Sequence, residues 1–150
     1  MKEPTNPATY RPAGLVRRLA AIFYDALLLF ALWMVSTGLW VAFRHGQAVP
    51  AEYLPFQLFL ALVAFLFLGG FWTHGGSTLG MMAWHLRVVD ARGRRVTWGR
   101  ALRRYLAAIL SWALCGLGFL YSLVDRDRRA LHDILSGTRL VVVPHAKRPR

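Results

Sequence analysis

Arg18 and Asp25 are two residues near the N-terminus whose types and spacing could support ion chemistry. Between Leu19 and Phe43 the only charged residue is Asp25. The two positions are seven residues apart, which at about 100° per helical residue places them on one face of a helix. Ser36 falls on the same line. A carboxylate inside a membrane span usually faces a protein interior or an aqueous cavity and has a partner.

Two interpretations of this polar line are open. In the first, the long side chain of Arg18 reaches down to Asp25, or a bridging water or another helix completes the link, and these residues with Ser36 form a site for a transported cation or a proton. In the second, the three side chains only hold one helix against another. Both interpretations require the segment to be a helix inside a membrane protein.

The elements that must position these residues are apolar. The chain has 150 residues, is 56% hydrophobic and carries a formal net charge of +12. Three apolar segments, 19–43, 54–72 and 105–124, are about as long as the ~20-residue helix that crosses a bilayer. The first is too long for the apolar core of a secretory signal peptide, and no small-residue cleavage pattern closes it.

The predicted fold class is an all-α integral membrane protein with three apolar helical segments and a small β-hairpin in a cytoplasmic loop. Residues 1–13, rich in Pro and polar residues, are predicted to be a disordered tail. Residues 14–143 form the transmembrane domain, and 144–150 form a basic tail.

The loop Thr73–Arg104 contains seven arginines and one acid, Asp90. The positive-inside rule therefore predicts a multi-pass membrane protein with this loop and the N-terminus in the cytoplasm. Within the loop, His85–Trp98 alternates loosely around a glycine, which is typical of a hairpin. Its arginines would lie against anionic lipid headgroups; they are Arg92, Arg94 and Arg95.

The topology of the third segment, 105–124, is open. Small residues recur along it at steps of three and four, which favours one continuous span packed against another helix. A full crossing would export the basic C-terminal region, against the positive-inside bias. A break at Gly116 and Gly118 would instead make the segment re-entrant. The strand-like run Arg139–Val143 favours a cytoplasmic C-terminus, because it could pair with the hairpin only on that side.

Three motifs make the chain resemble the RDD family of small bacterial membrane proteins, which is named for an arginine and two aspartates. They are RRLAAIFYD, GGSTLGMMAWHLRVVDARGRRV and RRALHDILSGTRLVVV, and in this order they cover roughly 14–143. The resemblance carries the family positions onto Arg18, Asp25, Thr78, Gly80, Asp133, Gly137 and Thr138. Two residues depart from the family pattern: Met81 replaces a basic residue after T-L-G, and His132 replaces a glycine.

The partner of Asp133 is also open at this level. Arg128 and Arg129 lie at short helical spacing from it, and Arg18 would be within reach if both residues lie at the inner interface. A surface salt bridge of this kind would contribute little to stability.

The resemblance implies a transport role in the bacterial inner membrane, since some similar proteins are associated with the exchange of sodium or another monovalent cation for protons. The leading hypothesis is antiport at Asp25, with Arg18 tuning its affinity, by a homo-oligomer or with a membrane partner protein. The alternative is a non-transporting accessory or assembly protein that binds lipid or a larger partner through its basic cytoplasmic face.

Other function classes are disfavoured by the sequence. It contains no zinc-protease, nucleophile-elbow or P-loop pattern, so we expect no enzyme and no cofactor. The five histidines are scattered without ligand spacing, so we expect no metal site. The aromatic residues lie in apolar runs rather than among the arginines, so nucleic acid is not an expected partner.

Overall fold

The computed structural model describes residues 11–50, 52–114 and 116–143. Most of the predicted N-terminal tail and the whole of the predicted tail 144–150 lie outside the described residues. Residues 11–13 belong to the fold: Arg11–Pro12 form strand β1, and Ala13 is buried. The folded region therefore begins slightly earlier than position 14.

Two long helices form the membrane-spanning part of the fold. Helix α1 is Leu15–Phe43 and helix α2 is Leu54–His74, and both are long and apolar enough to cross a membrane. Pro55 in the first turn of α2 suits a helix start, where its missing N–H is not needed. These helices contain the predicted segments 19–43 and 54–72. Most of their surface is apolar and faces outward, as lipid contact requires.

The third apolar segment is broken. Helix α4 is Trp98–Ala113 and helix α5 is Leu117–Val124, and their axes are bent by 99°. Gly116 lies between them with a φ of 80°, a left-handed conformation that glycine adopts at no steric cost. Helix α4 also begins seven residues before the predicted start at Tyr105, so it includes basic residues of the preceding loop.

A three-stranded antiparallel sheet lies beyond the helices. Strand β2 is Leu86–Asp90 and strand β3 is Thr138–Val142, and the strand order is β1-β3-β2. Leu86 pairs with Val142, and Asp90 pairs with Thr138. The predicted hairpin is corrected here: residues 94–97 form no strand, and the C-terminal run pairs with β2 in their place.

The sheet determines the topology of the third segment. Strand β1 precedes α1, strand β2 follows α2, and strand β3 follows α5, so all three must lie on one side of the membrane. Helix α1 crosses the membrane, and helix α2 crosses it in the opposite direction. The pair α4 and α5 must then begin and end on the same side, which makes it re-entrant. Backbone hydrogen bonds between distant strands thus decide a question that hydropathy left open.

A small core joins the sheet to the helices. Two short helices complete the fold: α3, Leu79–Ala83, and α6, Leu131–Ser136. The buried apolar side chains of this core come from the sheet, from the inner ends of α1 and α2, from α3 and α4, and from two residues between elements. They are Ala13, Ala21, Trp72, Met81, Leu86, Val88, Val96, Ala101 and Leu140.

Asp90 organises the turn after β2. Its Oδ1 accepts hydrogen bonds from the N–H groups of Arg92 and Arg94, each at 2.8 Å, and its Oδ2 accepts one from Arg100 Nη1 at 2.8 Å. Burial alone would raise the pKa of Asp90. These hydrogen bonds, together with one from the Arg94 side chain, instead lower its pKa from 3.8 to about 2. Part of the loop's basic charge is therefore used to order the loop itself.

The sheet makes a topology prediction. A reporter that is active on only one side of the membrane should give the same result when fused before Met1 and after Arg150, because β1 and β3 are paired. The same reporter inserted at Gly46, between α1 and α2, should give the opposite result. Opposite results for the two termini would contradict the re-entrant arrangement of α4 and α5.

Asp90 makes a pH prediction. Asp90→Asn should lower the free energy of unfolding at neutral pH by on the order of 1 kcal/mol, since the arginine partners are partly solvated. Because the folded-state pKa of Asp90 is depressed, this stabilisation is present above pH 3.8 and is lost as the pH falls through about 2. Thermal unfolding in detergent at several pH values should show the native and variant proteins converging. The exposed Asp127→Asn is the control, and a difference that does not change with pH would contradict the assignment.

Candidate functional site

Two groups of buried polar residues lie next to each other at the inner end of α1. The first, the arginine–aspartate cluster, consists of Arg18, Arg104, His132, Asp133 and Thr138. The second, the Asp25 site, consists of Asp25, Thr78 and Gly80. All of the side chains in both groups are at most 7% exposed. Such burial of charge requires specific partners.

Asp133 is the centre of the arginine–aspartate cluster. Its Oδ2 lies 2.7 Å from Arg18 Nη1, and its Oδ1 accepts a hydrogen bond from Arg104 Nη1. The same Arg104 nitrogen is 2.7 Å from Thr138 Oγ1. One carboxylate therefore joins α1, α4, α6 and the start of β3.

Local structure aims Asp133 at the two arginines. It is the third residue of α6, and its Oδ2 accepts a hydrogen bond at 3.0 Å from the N–H of Ala130, the residue preceding the helix. Gly137 ends α6 with a φ of 64° and turns the chain into β3. Ser136 bonds Thr138 at 2.7 Å between their hydroxyl oxygens. The three motif positions thus act together: Asp133 caps the start of α6, Gly137 ends the helix, and Thr138 begins β3.

The electrostatics of the cluster favour an ionised Asp133 and a neutral His132. Burial by itself would raise the pKa of Asp133, but the guanidinium groups of Arg104 and Arg18 hold that pKa well below its usual range. Burial and the same two arginines lower the pKa of His132 to about 3. His132 Nε2 lies 3.3 Å from Arg18 Nη1, and the neutral ring nitrogen can accept a hydrogen bond from this guanidinium. Two arginines and one carboxylate leave the cluster with one net positive charge.

The Asp25 site joins α1 to the short helix α3. Thr78 Oγ1 donates a hydrogen bond to Asp25 Oδ2, and the N–H of Gly80 donates one to Oδ1 at 2.9 Å. Thr78 also caps α3 by accepting the N–H of Met81 at 3.2 Å. A Cβ at Gly80 would lie 2.3 Å from the carbonyl oxygen of Ala21. Only glycine lets α3 approach α1 this closely.

Arg18 and Asp25, which one interpretation of the polar line joins directly, have other partners in the structure. Arg18 contacts Asp133 instead, as one of the alternatives for Asp133 allowed, while Asp25 is satisfied by neutral donors from α3. The physical reason is that Asp133 accepts both Arg18 and Arg104, so the positive charge of Arg18 is compensated by Asp133. Arg129 is not the partner of Asp133 either; it pairs with Asp125 at 3.0 Å.

Ser36 is not brought to the Asp25 site. Its hydroxyl donates to the carbonyl of Leu32 at 2.8 Å, within the same helix. The distance along α1 explains this, since eleven residues correspond to about 16 Å of helix. Whether any of the predicted residues binds an ion stays a prediction.

Arg104 is the site residue that sequence reasoning missed. It was counted among the loop arginines, because the helix was expected to begin after it. One signal was present: Arg104 continues the face of small residues formed by Ala101, Ala107 and Ser111, all of which are buried. A single arginine on a helix face of small residues is positioned for close packing and a buried partner. Its guanidinium also lies 5.2 Å from the ring centroid of Trp72.

A cavity of about 480 Å³ is lined by residues of both the arginine–aspartate cluster and the Asp25 site. Arg18, Asp25, Arg104 and His132 line one part of it, and mainly apolar side chains from α1, α2, α4 and α5 line the rest. Mostly apolar walls with a few convergent polar groups are typical of binding sites. Within the described residues, no group of three or more His, Cys, Asp or Glu side chains could hold a metal ion.

Comparison with known proteins agrees with this arrangement of motifs. The model of the RDD family matches residues 12–137. A protein of Bacillus subtilis (strain 168), described as "Uncharacterized protein YxaI", is 28% identical over 148 residues, covering 87% of this chain and 97% of that protein. No solved structure matches the chain.

The close contact at Gly80 makes a stability prediction. Gly80→Ala should destabilise the fold by about 3 kcal/mol, because the added methyl group would overlap the Ala21 carbonyl and push α3 off Asp25. The matched control is Gly99→Ala in α4, where a Cβ meets nothing within 4 Å. That variant should be as stable as the native protein or more stable by up to about 1 kcal/mol. Thermal unfolding in detergent measures both, and equal melting temperatures would contradict the packing described.

Proposed function

The chain belongs to the RDD family of membrane proteins, and from this premise we propose that it exchanges a monovalent cation for a proton at Asp25. The proposed location is the bacterial inner membrane with the N-terminus in the cytoplasm, because the basic residues concentrate on the side of the sheet. The proposed role is transport and not enzymatic catalysis, and it calls for no cofactor.

The observation that carries the proposal is the kind of partner that Asp25 has. In the part of the chain that the structure describes, the hydrogen bonds to its carboxylate come from a hydroxyl and a backbone N–H, and no cationic side chain pairs with it. Arg18 is held by Asp133. A carboxylate neutralised by an arginine has little affinity for another cation, whereas one held by neutral donors can still bind a proton or a metal cation.

The surroundings of Asp25 are compatible with such an exchange. Thr78 Oγ1 is beside the carboxylate, and the Ala21 carbonyl oxygen lies against the same glycine that Asp25 contacts. Oxygen ligands of this kind suit small hard cations. Because a proton and a cation would compete for one carboxylate that lines a cavity, binding one would release the other. This competition is the minimum chemistry that an antiporter needs.

One chain offers few helices to enclose a pathway. Two helices cross the membrane and the third segment bends back, while large apolar side chains of α1 and α2 stay exposed. We therefore propose that a second copy of the chain, or a membrane partner protein, supplies the remaining wall.

The second candidate function is a non-transporting accessory or assembly protein. One observation favours it: the arginine–aspartate cluster is buried and internally paired, so it acts as a structural lock between α1, α4 and α6. In this case Asp25 would only hold α1 against α3, and the exposed arginines around the sheet would bind lipid or a partner. The two functions differ in what the loss of the Asp25 charge should do.

The deciding experiment compares native protein with Asp25→Asn in inverted membrane vesicles. Asparagine keeps the shape of the side chain and can still bond Thr78 and Gly80, but it cannot release a proton. We expect native vesicles to move protons when sodium or potassium is added, and the variant to lose this exchange while the amount of folded protein is unchanged.

Two variants control this experiment. Asp127→Asn removes an exposed carboxylate and should leave both exchange and folding unchanged. Asp133→Asn should reduce folded protein, because it leaves two buried arginines without a counter-charge, at a cost of about 3–5 kcal/mol. If native vesicles show no exchange above empty vesicles, or if Asp25→Asn behaves like Asp133→Asn, the accessory function is favoured.

A further inference from the structure

A second, larger groove lies outside the sites described above. It has a volume of about 910 Å³ and runs between the start of α1 and the end of α5. We call it the interfacial groove and define it by three basic residues, Arg11, Arg17 and Arg128, and by the apolar residues Leu15, Val16 and Leu123. It shares no lining residue with the cavity that holds Asp25.

The charge of the interfacial groove has one sign. Three arginines line it, and its lining includes no aspartate or glutamate of the described chain. Other arginines on this side of the molecule have carboxylate partners: Arg94 and Arg100 pair with Asp90, and Arg129 pairs with Asp125. The groove thus concentrates positive charge where neighbouring loops compensate theirs. It should attract an anion.

The backbone of Arg128 is held in a strained conformation at this groove. Its φ is 53°, in the left-handed region that side chains other than glycine rarely adopt. Its carbonyl accepts a hydrogen bond from Arg18 Nη2 at 3.4 Å, and its N–H donates to the Asp125 carbonyl at 3.0 Å. These bonds hold the turn, and the guanidinium lies over Gly14, with Nη1 3.9 Å from the position of a Cβ there. Strain of this kind is concentrated at ligand-binding positions.

The floor of the groove leads onto the lipid-facing side of α1. Val16 is 77% exposed and Leu123 is 67% exposed. From Val16 a continuous stripe of exposed apolar side chains descends the helix at steps of three and four, which is one helix face. The stripe comprises Val16, Leu19, Phe23, Leu27, Phe30 and Met34. Basic groups therefore lie at the helix end, and an apolar track leads from them along the span.

We propose that the interfacial groove is a binding site for one anionic phospholipid. The phosphate lies among Arg11, Arg17 and Arg128, and an acyl chain follows the apolar stripe of α1. The continuity of the groove with that stripe favours a lipid over a soluble phosphate, which would use only the basic end. The site differs from the loop arginines expected from the sequence to meet headgroups, and it does not depend on exchange at Asp25.

The test is lipid binding to the full-length protein in a mild neutral detergent, measured by native mass spectrometry. Dioleoyl phosphatidylglycerol is titrated, with dioleoyl phosphatidylcholine as the zwitterionic comparison. The variant pair Arg17→Gln with Arg128→Gln should weaken phosphatidylglycerol binding about thirtyfold, since each arginine near an anionic headgroup contributes about fivefold in affinity. Phosphatidylcholine binding should change much less.

The matched control removes two exposed arginines that lie outside the groove and are not among the loop arginines expected to meet headgroups, Arg103→Gln with Arg139→Gln. This pair loses the same charge and should keep phosphatidylglycerol binding within about twofold of the native protein. Equal losses in the two pairs would mean diffuse attraction by net charge and would overturn the site. Inorganic phosphate or glycerol 3-phosphate that competes as strongly as the lipid would overturn the lipid assignment in favour of a soluble anion.

Arg128→Gly separates binding from folding. Glycine adopts the left-handed conformation without strain, so this variant should melt at the same temperature as the native protein or higher in neutral detergent. It should nonetheless lose about fivefold in phosphatidylglycerol affinity, and the rise in melting temperature that the lipid causes should shrink. Native affinity in Arg128→Gly would show that the strained arginine does not serve the lipid and would overturn the proposal.

Discussion

The ion pairs of Asp133 with Arg18 and Arg104 are the constraint on which the rest of the structure depends. Burying one carboxylate and two guanidinium groups is costly unless each finds its partners, and here the first spanning helix, the re-entrant segment and the C-terminal turn must meet to supply them. The interaction therefore selects one arrangement of elements that hydrophobic contacts alone would leave variable. Lipid-facing helices have little other reason to associate, since lipid tails are as apolar as leucine.

The small sheet has the same effect on topology. It pairs residues from before the first span, after the second span and after the re-entrant segment. A strand on the wrong side of a bilayer could not make these hydrogen bonds, so the sheet requires an even number of crossings. The bend at Gly116 allows the third apolar segment to return to its side of origin. The sheet and the ion pairs lie close together because α6 and β3 are separated only by Gly137.

Asp25 differs from Asp133 in its chemical surroundings, although both are buried aspartates. Asp133 is surrounded by compensating positive charge, while Asp25 receives hydrogen bonds from Thr78 and Gly80 only, among the described residues. Asp25 lines the cavity together with the arginines that pair with Asp133, Arg18 and Arg104, so the two sites adjoin without being equivalent. This division assigns a structural role to the paired aspartate and leaves the other available for a ligand, which is the basis of the function proposed.

The sequence by itself determined the two spans and the break-prone third segment, because helix length and hydropathy are local properties matched to a fixed bilayer thickness. It also identified Arg18 and Asp25 as unusual, and the resemblance to the RDD family added Asp133 and the other motif positions. Only the tertiary structure decided which charges pair, which strand is the partner of β2, and that Arg104 joins the cluster. Several arginines could satisfy one carboxylate on sequence spacing alone. The choice depends on distances between elements that are far apart in the chain, and no local pattern encodes those distances.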